Sequence, residues 1–371
     1  MAARTTPPYR ADHVGSLLRP PELLAAREER KRGAISAEAL RRIEDRAIRD
    51  AVKLQEDIGL QCVTDGEFRR TFWHLDFLEK FENVTVIPPR IKAQFHTHTG
   101  DIEFAPPGLR VDGKLSRPRG IFVEDFKFLK SVAHATPKQT IPSPSNMHFR
   151  GGRGAIDQQA YPDLAGFYAD LGRVYSEEVK ELADAGCRYL QLDEVNFAYL
   201  CDPKLQEQVR NIGEDPKTLP STYAKLINAS IATRPKDMVV TMHLCRGNFQ
   251  SAWVAEGGYD PVAEVLFNAI DVDGYFLEYD DPRSGDFKPL RFLPKGKTVV
   301  LGIVTTKVGA LESKDAVKRR IDEAARYAPL DQLALSPQCG FSSTVEGNKI
   351  TLDDEIRKLR LVVEVAREVW G

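Results

Sequence analysis

The chain has 371 residues, enough for one large domain or two ordinary ones. Its 42% hydrophobic and 29% charged residues are those of a globular protein, and 52 Lys and Arg against 54 Asp and Glu leave a net charge of −2. That balance gives no footprint for nucleic acid or an acidic membrane surface, and no run approaches the roughly 18 apolar residues of a membrane span. The first ten residues lack the apolar core of a signal peptide, so a cytoplasmic protein is expected. Five cysteines, widely spaced and odd in number, argue for free thiols and metal ligation over a disulfide framework.

In chain order, residues 11–18 read as a short strand ending in polar groups, and a helix begins near Pro21. A second helix follows Ser36, with Leu40, Ile43, Ala47, Ala51 and Leu54 at helical spacing and Gly59 as its stop. Residues 61–65 form the next strand. Residues 77–139 break the alternation: 84–89 and 91–95 look like short antiparallel strands, and the segment reads as a β-rich insertion after strand two rather than a separate domain. His96 and His98 imitate a metal pair there, but with no Cys or carboxylate cluster nearby they read as hairpin surface.

Alternation resumes with a strand at 140–145. The Gly-rich run 150–154 lacks the Gly-Lys-Ser/Thr ending of a phosphate loop and reads as a flexible loop. A long helix from 161–163 to Gly186 leads to a strand at 189–194, and a helix over 223–233 leads to one around 239–245. Asp260-Pro261 reads as an N-cap and first-turn pair for a helix reaching the strand that Glu278 ends. A strand at 298–304, a helix capped by Ser313 and running through Arg326, a strand ending at Cys339 and a closing helix with the capping box Thr351/Asp354 complete the chain. Eight strands alternating with helices, polar residues at the strand C-terminal ends, predict a single (β/α)8 TIM barrel over 1–371 with its active site at that face. The rival is a doubly wound open sheet, unsupported by any Gly-x-Gly-x-x-Gly turn.

The chemistry centres on His243-Leu244-Cys245. Alternation along a strand points His243 and Cys245 the same way and Met242 and Leu244 the other. Imidazole and thiolate together suit Zn²⁺, which needs about four ligands. Glu278 and Cys339, at two further strand ends, could be gathered to the same mouth.

These residues, with Ser336-Pro337-Gln338-Cys339-Gly340, resemble the zinc-binding segments of cobalamin-independent methionine synthase. So does the order of the other strand ends, Val14-Gly15-Ser16, Asp65-Gly66-Glu67 and Gln191-Leu192-Asp193-Glu194. The resemblance covers about 11–370 and only the C-terminal catalytic barrel of that enzyme. It implies His243, Cys245, Glu278 and Cys339 as zinc ligands, and Ser16, Glu67 and Asp193 as the groups holding the amino acid end of homocysteine. Two carboxylates suit an ammonium, and Ser16 with nearby N–H groups suits a carboxylate.

Two departures stand out. Where methionine synthases carry a histidine used in proton handling, this chain has Lys307, which is therefore the candidate catalytic residue, as proton donor or holder of an acidic donor group, with a plain surface lysine as the alternative. The segment 142–146 lacks the tryptophan that stacks on folate, leaving the methyl donor open between methyltetrahydrofolate, a methylcorrinoid carried by a protein partner, and a small donor. His13 and Trp73 are candidates for contacts to substrate or donor, against plain packing. The expected activity is methylation of homocysteine to methionine. The alternatives are thiol alkyl transfer of the epoxyalkane:coenzyme M type and a closed, non-catalytic zinc site.

Overall fold

The computed structural model describes residues 4–89, 93–97 and 100–371; His98 and the first two residues of the strand expected at 91–95 lie outside them. The strands are β1 (Cys62–Val63), β2 (Glu82–Ile87), β3 (Ala93–Thr97), β4 (Gly100–Phe104), β5 (Gly108–Ser116), β6 (Thr136–Pro137), β7 (Gln139–Pro142), β8 (Tyr189–Glu194), β9 (Val239–Leu244), β10 (Gly274–Glu278), β11 (Thr298–Val304) and β12 (Leu333–Pro337). β7 to β12 form one parallel sheet in sequence order, β1 pairs in parallel with β6, and β2–β5 and β3–β4 are antiparallel pairs. The architecture is α/β.

Helices between consecutive strands account for the parallel order, since a parallel neighbour needs a crossover. The crossover helix Leu164–Asp184 is capped by Asp163, whose carboxylate accepts from Gly166 N, and buries Phe167, Leu171, Val174 and Leu182 on one face. Ala37–Ile58 is capped by Ser36 and stopped by Gly59 in the left-handed region. The capping box Thr351/Asp354 opens Leu352–Trp370.

Strands β8 and β10 to β12 are buried throughout, as a sheet covered on both faces requires. Alternation then sorts their side chains. Val240, Met242 and Leu244 pack into the large core under the helices, whereas Phe276, Val300 and Ala334 gather with Val14 on the opposite face. On that face the buried Lys138 ammonium pairs with Asp12 at 3.1 Å and lies 4.1 Å from the centre of the Phe276 ring.

Several boundaries differ from the sequence expectation. Residues 11–18 form no ladder beyond a parallel bridge of Ala11 to Leu335, because Gly15 and Ser16 turn the chain away to bond elsewhere. The strand expected at 140–145 starts earlier and ends at Pro142, whose following Ser143-Pro144 opens a turn. Asp260 is the first residue of its helix rather than the cap; Tyr259 takes that place with no side-chain bond. The helix after Ser313 ends at Ala324, and β12 ends at Pro337, two residues before Cys339. The Gly-rich run holds a 3-10 turn, Gly152–Ala155. No closed sheet is formed by the ladders of the described residues, and no helix among them is long and apolar enough to cross a membrane.

Candidate metal and thiol site

Sheet register brings the chemistry together. Asp193 stands opposite His243, which stands opposite Phe276, and Leu244 is opposite Leu277, so the next residues on those two strands, Cys245 and Glu278, fall side by side. Beyond β12, the irregularity between Gly302 and Val304 and the bond from Gln338 N to Val304 O at 2.8 Å turn Cys339 toward them. The Sγ atoms of Cys245 and Cys339 are 3.5 Å apart. One ligand atom each from His243, Cys245, Glu278 and Cys339 lies within 4.8 Å of the others, and all four residues are buried.

The donor set fits a bound cation. Neither ring nitrogen of His243 has a hydrogen-bond partner, nor has Glu278 Oε2, which lies 3.7 Å from Arg283 Nη2, while Glu278 Oε1 accepts from Arg246 N at 3.0 Å. Buried polar atoms left unpaired are costly, and a metal would answer all three at once. Two thiolates, an imidazole and a carboxylate suit Zn²⁺ in particular.

The electrostatics point the same way. The hydrogen bond with Cys245 holds the Cys339 thiol well below its usual range despite burial, with His243 and Lys307 helping. The same contact, with burial, raises Cys245. Burial and then Cys339 raise Glu278, against Lys307 and Arg283. Burial works against charge on His243, yet Cys339, Asp193 and Glu278 outweigh it and raise its pKa. The pocket is thus overfull of acidic groups, which a divalent cation relieves. Lys307 is buried, and its Nζ has no hydrogen-bond partner.

A small cleft of about 60 Å³ lies over the cluster. Its walls include Ser16, Glu67, Asp193, His243, Cys245 and Cys339, together with Trp73. Glu67 has φ 61°, a left-handed conformation, and its amide bonds Asp65 Oδ1 at 2.8 Å. Its Oε1 accepts from Thr140 Oγ1 at 3.0 Å and lies 3.4 Å from Arg70, while Oε2 has no partner. Burial raises Glu67, and burial followed by the Glu67 charge raises Asp193 to about 7. A substrate cation between them would relieve both. Ser16 Oγ accepts from Ser342 N at 3.3 Å, which ties the first strand end to the Cys339 loop.

His13 is not on this cleft. It is buried among Lys138, Asp12 and Gln55, and burial first, then Lys138, lowers its pKa to about 4. Lys307 is also absent from the cleft wall and acts on the cluster through its charge. His96 lies on the β3–β4 pair, where its ring contacts Asp101 and its backbone pairs with Trp253.

Sequence reasoning missed the roof. Phe104 stacks on Phe249 with centroids 4.0 Å apart, and Phe95 joins them, so the β3–β4 pair covers the loop after β9. Arg150, His74 and Tyr199 also reach the cleft. Only aromatic content in the 93–104 segment hinted at this, since contacts so distant in sequence leave no periodic signal.

Comparison with known proteins identifies the family. Residues 10–368 match the family model described as cobalamin-independent synthase, catalytic domain. The chain belongs to that family of methyltransferases. It is 48% identical to the uncharacterized protein YxjH of Bacillus subtilis, over 98% of this chain and 95% of that one. A Listeria monocytogenes structure, described provisionally as a vitamin-B12-independent methionine synthase, superposes with a TM-score of 0.77 at 38% identity, covering 99% of this chain and 100% of that one. A Thermotoga sp. 5-methyltetrahydropteroyltriglutamate–homocysteine methyltransferase is 22% identical over 96% of this chain, which spans 44% of its length.

Proposed function

We propose that this protein is a zinc-dependent methyltransferase that converts homocysteine to methionine. The observation carrying the reading is the four-donor cluster of His243, Cys245, Glu278 and Cys339 beside a cleft walled by Ser16, Glu67 and Asp193. Membership of the family and the name of the Thermotoga relative support the substrate. The description of the family as cobalamin-independent counts against a corrinoid partner. A cytoplasmic location suits the reaction.

When bound, zinc lowers the pKa of a substrate thiol so that it is a thiolate at neutral pH. The rest is done by the chain. Glu67 and Asp193 bind the substrate ammonium, and Ser16 with neighbouring amides receives its carboxylate. Together they fix where the sulfur lies, and such orientation is worth several kcal/mol of barrier. Glu278, held on one oxygen by Arg246 N, would be the weakest of the four zinc ligands, since a carboxylate holds zinc less firmly than a thiolate. Two thiolates and a carboxylate with a divalent cation leave one negative charge, and Lys307 balances it. The aromatic roof of Phe95, Phe104 and Phe249 keeps water from the thiol.

We also read the bridge of Ala11 to β12 and the pairing of β1 with β6 as the seams of a (β/α)8 barrel, a single domain with 77–139 as an insertion over its mouth. The carboxylates Glu67 and Asp193 on one cleft wall weigh against an amine-free thiol such as coenzyme M, and a carboxylate as fourth ligand, weaker toward zinc than a third thiolate, weighs against a closed storage site.

The test is methionine formation from homocysteine by zinc-loaded protein, with methyltetrahydrofolate and its polyglutamate form supplied in parallel. Product that disappears in the Cys245→Ala variant is expected. Full activity in a zinc-free Cys245→Ala protein would refute the reading.

A further inference from the structure

Asn248 carries an acceptor that no group of the chain answers. It lies on the loop after β9, is buried, and lines the cleft over the candidate metal cluster. Its Nδ2 donates to Gly340 O at 3.0 Å and to Ser343 Oγ at 3.2 Å. A backbone carbonyl can only accept, so the side-chain amide must present its nitrogen to Gly340, and this fixes which branch is which. Oδ1 is left buried and without a hydrogen-bond partner. An acceptor shielded from water and unpaired is costly, and a ligand that brings a donor removes the cost.

The cleft walls hold other unpaired atoms, but each has a different complement. His243 offers a ring nitrogen to the metal cluster, and Glu67 Oε2 is a carboxylate oxygen suited to a cation. His74 is a neutral imidazole, because burial followed by the Arg150 charge holds its pKa well below the usual range. Its Nε2 accepts from Arg150 Nη1 at 3.2 Å, so its unpaired Nδ1 carries the proton and is a donor. Asn248 Oδ1 is therefore the uncharged acceptor of this wall.

The chemistry of an amino acid thiol narrows which donor completes it. With the sulfur a thiolate and the carboxylate ionised, homocysteine has N–H or O–H donors only on its ammonium, and there are three. Glu67 and Asp193 account for two. Glu67 Oε1 is taken by Thr140 Oγ1 and Asp193 Oδ1 by Gln191 Nε2 at 2.7 Å, so each carboxylate has its other oxygen to give. Asn248 stands at the same end of the cleft, since its partner Gly340 abuts Ser16, the residue assigned to the substrate carboxylate. A third carboxylate would be out of place there, because burial followed by the Glu67 charge already raises Asp193 to about 7. A neutral amide completes the ammonium without adding charge.

We propose that Asn248 is a specificity residue for the amino end of the thiol substrate: its Oδ1 accepts the third N–H of a primary ammonium, so the site prefers an unsubstituted amino acid thiol to one whose nitrogen carries an alkyl group. This rests on the methyltransferase reading and adds a residue and a selection rule to it. A site built to hydrogen-bond an N–H discriminates strongly against the analogue that lacks it, because the acceptor is then buried unpaired.

The experiment uses the full chain loaded with Co²⁺, wild type against Asn248→Ala and Asn248→Asp. The cobalt–thiolate absorption band is titrated with homocysteine and with N-methylhomocysteine, which has one N–H fewer. Calorimetry repeats the comparison without a thiol, using methionine and N-methylmethionine. Wild type should bind each primary amine about 30-fold more tightly than its N-methyl analogue, the equivalent of about 2 kcal/mol. In Asn248→Ala that ratio should fall below about threefold, whereas Asn248→Asp, which keeps an acceptor and loses both bonds to the Cys339 loop, should retain the preference. The ratio is read because a variant that merely shifts the Cys339 loop weakens both members of a pair alike. An equal ratio in wild type and Asn248→Ala would overturn the proposal, as would a wild type with no preference. Absence of the cobalt–thiolate band with homocysteine in the wild type would fail the methyltransferase reading. The methionine pair would then still decide the role of Asn248, and failure of methionine to bind the wild type in that case would overturn it too.

Discussion

A Cβ atom at Gly340 would lie 1.9 Å from the Oγ of Ser16, closer than any two such atoms approach. Glycine is therefore required after Cys339, for space. The Ser16 turn and the Cys339 loop are locked by that approach, by Ser342 N donating to Ser16 Oγ at 3.3 Å and by Phe341 N donating to Ser16 O at 2.9 Å. Gly340→Ala should push the loop away, cutting zinc content at least tenfold and lowering the melting temperature, since overpacking costs about 1–3 kcal/mol. Metal analysis after dialysis checks it; a fully zinc-loaded, stable Gly340→Ala protein would refute the locking.

Lys307 carries a buried ammonium that lowers the pKa values of Cys245, Glu278 and Cys339. Removing its charge in Lys307→Met should make the ligand set harder to deprotonate and weaken zinc by roughly tenfold near neutral pH. Lys307→Arg should stay near wild type. Competition with a chromophoric chelator reads both, and equal affinity of Lys307→Met and wild type would show the charge to be irrelevant.

Asp193 and Glu67 both line the cleft, where burial and then the Glu67 charge raise Asp193 to about 7, while burial first and Asp65 in lesser part raise Glu67 against Arg70. On the proposed binding of the homocysteine ammonium by these two carboxylates, Asp193→Asn should raise KM for homocysteine about 10- to 100-fold. Zinc content should be unchanged. A KM that stays within twofold while kcat collapses would move Asp193 from binding to chemistry.

Glu355, on the closing helix, accepts from Leu18 N at 2.8 Å, and burial raises its pKa to about 8. The folded state then holds a proton that the unfolded chain has released, so between about pH 4.5 and 8 stability falls as pH rises, and the slope vanishes above that. Glu355→Gln keeps an acceptor without the charge. It should flatten this slope and stabilise the protein at pH 8 by on the order of 2 kcal/mol. Urea melts at pH 5 and pH 8 test it; identical slopes for variant and wild type would contradict the assignment.

How much of this was legible in the sequence depended on how local its cause is. The strand at 189–194 and the strands around His243, Glu278 and residue 300 were readable because buried parallel strands are continuous apolar runs closed by polar residues. The pairing of His243 with Cys245 on one side followed from strand alternation alone. Glu278 and Cys339 were legible as further strand ends that one mouth could gather, and the resemblance named them as ligands; how close they come depends on register between strands and the turn after Pro337, which are tertiary facts. His13 looked like a neighbour of Ser16, yet it faces Lys138 and Asp12, since the chain turns at Gly15, φ 141°, between them. The short helix Pro203–Asn211 and the helix Val123–Val132 went unread, the latter hidden inside a segment whose strands drew attention.

The central claim is that His243, Cys245, Glu278 and Cys339 hold a zinc ion that accepts a substrate thiol. Zinc-edge X-ray absorption with and without homocysteine tests it most directly. The account predicts two sulfur neighbours in the free protein and three when homocysteine is present, at the expense of an oxygen. A sulfur count that does not change on adding homocysteine would contradict it.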